Sequence, residues 1–164
     1  GNLVNIIPGG VVVFFPSYDY EKLVFKHLTT SGVLKKIEAK KRIFREPKNS
    51  CDLDAVLSDY STAVRLSGGA LILAVVGGKM SEGINFSDNL GRCVVMVGLP
   101  YPNLHSPELK EKMRYLDRTA AEVDGKKGGA VHYDNLCMKA VNQSVGRAIR
   151  HKKDYAALVL PDAR

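Results

Sequence analysis

Four short apolar runs, rich in β-branched residues, punctuate the chain: Val11–Phe15, Leu71–Val76, Cys93–Val97 and Ala156–Leu160. They are continuous rather than alternating, which is how strands buried on both faces read. Arg42–Arg45 is a shorter fifth candidate. Between these runs the apolar spacing turns helical, predicting helices over about Tyr18–Thr30, Asp52–Leu66, Pro107–Ala121 and Tyr133–Arg150. Ser106 before Pro107 supplies an N-cap and a preset first turn. Ser50 or Asp52 is placed to cap the second helix. Strands alternating with helices predict an α/β fold, a parallel sheet flanked by helices on both faces. In such sheets ligands bind beyond the carboxyl ends of the strands. The segments to inspect are therefore Pro16–Asp19, Gly77–Asn89 and Gly98–Ser106. Ser67–Gly69 and Gly125–Gly129 read as flexible loops inside one domain, residues 1–164.

With 164 residues and 45% apolar content, the chain is long enough to bury a core as one domain. No apolar run approaches the ~18 residues of a membrane helix. Lys and Arg exceed Asp and Glu by 24 to 17, a net charge of +7 that suggests a polyanionic partner. The three cysteines, Cys51, Cys93 and Cys137, lie far apart without a CxxC pair. A disulfide framework, zinc site or iron–sulfur cluster within this segment is therefore not expected, and a reducing compartment is. The chain stops just after its last strand, as a domain cut from a longer protein would.

Leu71–Val76 runs directly into Gly77-Gly78-Lys79-Met80-Ser81-Glu82-Gly83-Ile84-Asn85-Phe86. A strand ending in a glycine-rich turn exposes N–H groups that can cradle phosphate. It is not a P-loop: Met80 stands where Ser or Thr must follow Lys79, and Leu73 where the first Gly belongs. Lys79 and Ser81 are candidates for holding a nucleic-acid phosphate. Glu82 is a candidate for a ribose, a metal-bound water or a basic partner. An ordinary strand-to-helix turn is the alternative. Near the chain's end, helical spacing puts Gln143, Arg147 and Arg150 on one polar stripe at i, i+4 and i+7. Val141, Val145, Ala148 and Ile149 fall opposite, as a core stripe should. Arginine's forked donors suit phosphate oxygens. Gly146 beside the stripe suggests close approach of another surface; a solvated basic face is the alternative.

Gln143–Arg150, read as QSVGRAIR, resembles motif VI of superfamily-two helicases, QxxGRxxR. Gly78–Phe86 resembles motif V of the XPD-like iron–sulfur DNA helicases, and Val12–Tyr18 their motif IV. Val76–Asn103 and Asn135–Tyr155 are most similar to the ChlR branch, the cohesion-linked DEAH-type helicases. The three motifs follow the family's order over nearly the whole chain. The resemblance implies the second RecA-like motor domain, with Walker A, Walker B and the iron–sulfur cluster in another part of the enzyme. It implies ATP and Mg²⁺ shared with the first motor domain, and 5′-to-3′ movement on single-stranded or forked DNA. Arg150 would be the arginine finger on the γ-phosphate. Arg147 would contact that phosphate or link it to motif V, and Gln143 would position the attacking water or the phosphate. Glu82, Gly83 and Gly146 would line the nucleotide cleft, and Ser17, Tyr18, Lys79 and Ser81 the DNA track. Asn85 departs from the Asp common in the wider group, which leaves a metal or ribose role for it open. A nuclear location and replication or cohesion partners follow from the branch; no metal site is expected in this chain. Without its own P-loop, the isolated chain is expected to show no meaningful ATPase activity.

A different class of function stands beside this one: a non-catalytic nucleic-acid-binding module on a degenerate motor fold. The basic run Lys35-Lys36, Lys40-Lys41-Arg42, Arg45 and Lys48 reads as a solvated face or a DNA-backbone track. Tyr18 and Tyr101 are candidate stacking surfaces, with loop packing as the alternative. The four histidines do not cluster in sequence, and the cysteines read as buried thiols. A small-molecule enzyme on a doubly wound sheet is disfavoured, since no dinucleotide GxGxxG follows the first strand and no nucleophile–base set is visible.

Overall fold

The computed structural model describes residues 2–81 and 84–161. Five parallel strands form one sheet: β1 (Val11–Phe15), β2 (Arg42–Arg45), β3 (Ala70–Val75), β4 (Cys93–Met96) and β5 (Ala157–Val159), in the order β2-β3-β1-β4-β5. The helices are α1 (Asn2–Ile6), α2 (Tyr18–Thr30), α3 (Val33–Glu38), α4 (Leu53–Leu66), α5 (Pro107–Thr119) and α6 (Gly128–Val145).

The period-two pleat sorts each central strand between two cores. Val12, Phe14, Ile72, Ala74, Val94 and Met96 point to one face, where α4 and α6 bring Tyr60, Ala63, Val64 and Val141. Val11, Phe15, Leu71, Leu73, Cys93 and Val95 point to the other, covered by α1, α2 and α3 through Val4, Val24, Phe25 and Ile37. Both faces are dry, so the strands read as continuous apolar runs. The α/β expectation holds in class and in layering.

Two helix boundaries differ from expectation in ways that matter. α6 begins at Gly128, inside a stretch that reads as a loop, because α5 lies against it. A Cβ at Gly128 would sit 2.6 Å from the Leu116 carbonyl, and one at Gly129 2.7 Å from that of Met113. Those glycines allow close helix packing rather than flexibility. α6 also ends at Val145, with Gly146 at its C-cap, so Arg147 and Arg150 lie in the turn beyond it. Two short helices, α1 and α3, fall where the sequence pattern gave no helix. The Ser106 cap is present, its Oγ accepting from the Leu109 N–H at 3.5 Å. Asp52 occupies the N-cap of α4 without a side-chain capping bond.

Because all strands are parallel, the segments after β1, β2, β3 and β4 emerge along one edge of the sheet. That edge carries the site.

Candidate functional site

The segment after β3 and the end of α6 enclose a pocket of about 140 Å³, lined by Val76, Gly77, Ser81, Ala140, Gln143, Ser144 and Arg147. The two sequence segments singled out for phosphate chemistry thus meet in space. Gln143 is exposed and Arg147 half-buried. The Arg147 guanidinium has no ion-pair partner among the described residues. A half-buried cation without a counter-charge, facing an amide and a hydroxyl across a small concavity, suits an anionic ligand. Ser81 is buried, and its hydroxyl donates to the Gly78 carbonyl at 2.8 Å. It lines this pocket and packs into the turn, not the surface around Tyr18. Among the described residues a Cβ on Gly146 would meet only the carbonyls of its own helix, Asn142 at 3.1 Å and Gln143 at 3.8 Å. Gly146 also caps the end of α6. Glu82 and Gly83 lie outside the described residues.

The expected helical stripe of Gln143, Arg147 and Arg150 is corrected by the break after Val145. The turn is fixed instead by bonds to the other segment. The Phe86 N–H donates to the Arg147 carbonyl at 2.9 Å. Arg150 Nε donates to Asn85 Oδ1 at 2.9 Å, and its Nη2 reaches the same oxygen. Asp154 completes the arrangement. Its Oδ2 accepts from the N–H groups of Asp88 and Arg150, each at 3.3 Å, and its Oδ1 from Arg92 Nη1 and the Tyr155 N–H, each at 2.9 Å. Burial pushes the Asp154 carboxyl up, but those N–H groups and the Arg92 guanidinium outweigh it and hold the carboxyl below its ordinary range. Arg92 also lies over the Tyr155 ring at 4.1 Å.

Asp88, His151 and Asp154 gather ligand-type atoms within 4.8 Å. The donor chemistry does not fit a cation there. Both Asp154 oxygens already accept two hydrogen bonds, and the Arg92 guanidinium sits against one of them. His151 Nε2 lies 3.1 Å from Asp88 Oδ1, a pair that closes the same cluster.

A second group forms where β1, β2 and β3 end. Ser17 caps α2, its Oγ accepting from the Tyr20 N–H at 3.2 Å. The next residue, Tyr18, is exposed and donates its hydroxyl to Glu46 Oε1 at 2.7 Å. Desolvation, with Glu46 adding to it by hydrogen bond and charge, pushes this phenol up to about 12. Tyr18 therefore stays neutral and a donor. Lys79 donates to the Lys48 carbonyl at 2.8 Å. Ser17, Tyr18 and Lys79 are thus brought to one edge, and Glu46, which sequence reasoning missed, joins them.

Other expectations resolve individually. Tyr101 stacks on Tyr133 with centroids 4.9 Å apart and donates to Asp134 at 3.3 Å, so it packs the loop. The basic run is not one solvated face. Lys41 is buried and donates to the Gly9 carbonyl at 2.7 Å, while Arg45 forms a bidentate pair with buried Glu21 at 2.8 Å for each bond. Cys93 and Cys137 are buried, but Cys51 is exposed in the turn before α4. Asp154 and Arg92 carried no motif signal. The one hint was the unusual density of charge from Arg147 to Asp154, directly before an apolar strand.

Comparison with known proteins places this geometry. The family model described as helicase C-terminal domain matches residues 1–164. The chain is 58% identical to the zebrafish (Danio rerio) ATP-dependent DNA helicase DDX11, covering 99% of this chain and 19% of that protein. It is 47% identical to the Candida albicans ATP-dependent DNA helicase CHL1, covering 96% of this chain and 20% of that protein. It thus spans about a fifth of the curated relatives it matches. A solved structure of apo XPD superposes with a TM-score of 0.62 at 25% identity, over 98% of this chain and 30% of that one.

Proposed function

Given that the chain belongs to the helicase C-terminal domain family, we propose that it is the second motor domain of an ATP-dependent DNA helicase of the ChlR type. The observation that carries this reading is the pocket in which Gly77 and Ser81 meet Gln143 and Arg147, with Arg150 a few residues on held by Asn85 of the same glycine-rich segment. A guanidinium without an ion-pair partner among the described residues, an amide and a second, neutrally partnered arginine are a donor set for a polyphosphate. None of them can bind a nucleotide tightly alone, because these residues include no P-loop to cradle the phosphates. The ATP phosphates would be held by a P-loop domain elsewhere in the longer protein, which would also hold Mg²⁺ and carry the iron–sulfur cluster. This chain supplies the other wall of the cleft.

In that arrangement ATP with Mg²⁺ supplies the anhydride to be cleaved. Arg147 and Gln143 bind and orient the terminal phosphate from this side. Arg150 leaves Asn85 and brings a fixed positive charge to the oxygens that gain charge at the transition state. Asn85 is a neutral acceptor, so releasing the guanidinium costs less than breaking an ion pair would. Ser17, Tyr18 and Lys79 lie on the single-strand track: the Tyr18 ring offers a stacking face and Lys79 a phosphate contact. Closure and opening of the cleft would then shift one domain along the strand relative to the other, giving 5′-to-3′ movement and duplex opening. A nuclear setting, with replication and cohesion proteins as partners, belongs to the same reading.

The test is DNA-stimulated ATP turnover by the complete polypeptide carrying this domain, native against Arg150→Ala, with nucleotide binding measured in both. Turnover should fall by about 10³–10⁵-fold with ATP binding retained, the scale of a lost arginine finger. Unchanged turnover would leave the non-catalytic nucleic-acid-binding module as the better reading.

A further inference from the structure

The proposed strand track contains an acid that contact with a polyanion does not explain. Glu46 follows β2 directly, and its carboxylate is turned inward on three donors. Oε2 accepts from the Val75 N–H at 2.8 Å, where the β3 ladder ends. Oε1 accepts from the Tyr18 hydroxyl at 2.7 Å and the Met80 N–H at 3.4 Å. One carboxylate thereby joins three segments: the start of α2, the end of β3, and the Gly77–Ser81 turn. The fit is close. A Cβ on Gly78 would lie 2.5 Å from Glu46 Oε1 and 2.9 Å from the Tyr18 hydroxyl. Two residues on, the Lys48 carbonyl takes the Lys79 ammonium. The Glu46–Lys48 stretch therefore grips the turn on both sides.

A carboxylate at such an edge repels a phosphate backbone, so its value must lie in what it holds. We propose that Glu46 is a positioning residue of the single-strand track, fixing the Tyr18 ring and the Gly77–Ser81 turn in one relative geometry. This rests on the track assignment made above. With its hydroxyl committed to Glu46, Tyr18 keeps its phenol neutral and its ring at a set angle, and the turn bearing Lys79 cannot drift from it. The strand-binding edge and the turn that lines the phosphate pocket then move as one unit.

The test measures ATP turnover of the complete polypeptide against concentration of a thymidine oligonucleotide, for Glu46→Gln, Tyr18→Phe, their double variant and Tyr18→Ala. Gln removes the charge and one of the two acceptor oxygens, so the Tyr18 bond is weakened or lost whichever way the amide turns. Half-saturating oligonucleotide should rise about tenfold in Glu46→Gln, the effect of one charge-assisted hydrogen bond, with a much smaller change in kcat. Tyr18→Phe should shift the same parameter in the same direction. The double variant should be no worse than Glu46→Gln alone, since both remove one shared bond. An unchanged half-saturation, an additive double variant, or a fall in kcat with strand affinity intact would overturn the proposal. If Glu46→Gln fails to fold, Tyr18→Phe carries the test, because it leaves the Val75 and Met80 bonds in place. A shift in Tyr18→Ala with none in Glu46→Gln and Tyr18→Phe rejects the positioning role alone. No shift even in Tyr18→Ala removes the track assignment and this proposal with it.

Discussion

Gly78→Ala should destabilise the domain, although substitution of a glycine with ordinary backbone angles usually does the opposite. Gly78 is not in the left-handed region, so alanine adds no backbone strain there. On backbone entropy alone it would stabilise by about 0.4–1 kcal/mol. The new methyl, however, would lie 2.5 Å from Glu46 Oε1, against the 3.4 Å at which ordinary contact begins. The carboxylate must retreat by about 0.9 Å, the difference between those distances. The same methyl would lie 2.9 Å from the Tyr18 hydroxyl, so both partners are pushed outward and the 2.7 Å bond between them opens to about 3.4 Å, outside the range of O–H···O hydrogen bonds. A bond to a charged acceptor is worth about 1.5–3 kcal/mol. Subtracting the entropic gain leaves a net loss of about 1–2 kcal/mol, or about 3–6 °C in Tm for a domain of this size. The assay is thermal unfolding of the native and variant chains at matched pH and salt. A Tm equal to or above native would refute the reasoning, because it would mean the carboxylate can step aside without losing a partner.

Tyr60→Phe should cost about 1–2 kcal/mol in denaturant unfolding, because it removes a buried 2.6 Å hydrogen bond to the Leu90 carbonyl while leaving the ring edge-on to Phe44 and Phe86. Equal midpoints and slopes would show that the bond contributes nothing. Asp154→Asn should flatten the acid limb of the stability curve. The folded state holds this carboxyl below its ordinary value of 3.8, so the unfolded chain binds more protons in the window between the two. Its contribution is present above pH 4 and lost as pH falls through the lower folded value. Urea midpoints of native and variant chains measured through that window should converge toward the acid end; parallel curves would contradict the assignment.

The central strands were legible because burial on both faces leaves a signal in nearly every residue of β1, β3 and β4. The edge strands β2 and β5 are partly exposed and stood out only as short apolar stretches between turn segments. Val11–Phe15 and Arg42–Arg45 coincide with β1 and β2, and the other three differ by one residue at one or both ends. The start of α6 was not legible, since Gly128-Gly129 looks the same whether glycine serves a loop or a tight helix contact. Its end was misread for the converse reason. The Gln143, Arg147, Arg150 spacing fits a helix, but Gly146 caps α6 and the turn beyond it is held by the Phe86 N–H on the Arg147 carbonyl and by Arg150 donating to Asn85 and Asp154. Glu46 and Asp154 were invisible for a third reason. Each acts largely by accepting from main-chain N–H groups, which have no letter in a sequence, and its side-chain donors, Tyr18 and Arg92, come from segments the sequence does not bring together.

The bond from the Phe86 N–H to the Arg147 carbonyl has a mechanical consequence. It is made by main chain at both ends, so no side-chain exchange short of proline at Phe86 can sever it. The strap leaving β3 and the turn leaving α6 are therefore stitched together independently of the chemistry they carry. Residues around the stitch are free to vary with ligand and task, while the stitch keeps the two segments in step. A push on either is felt by the other as displacement, with no bond having to break in between.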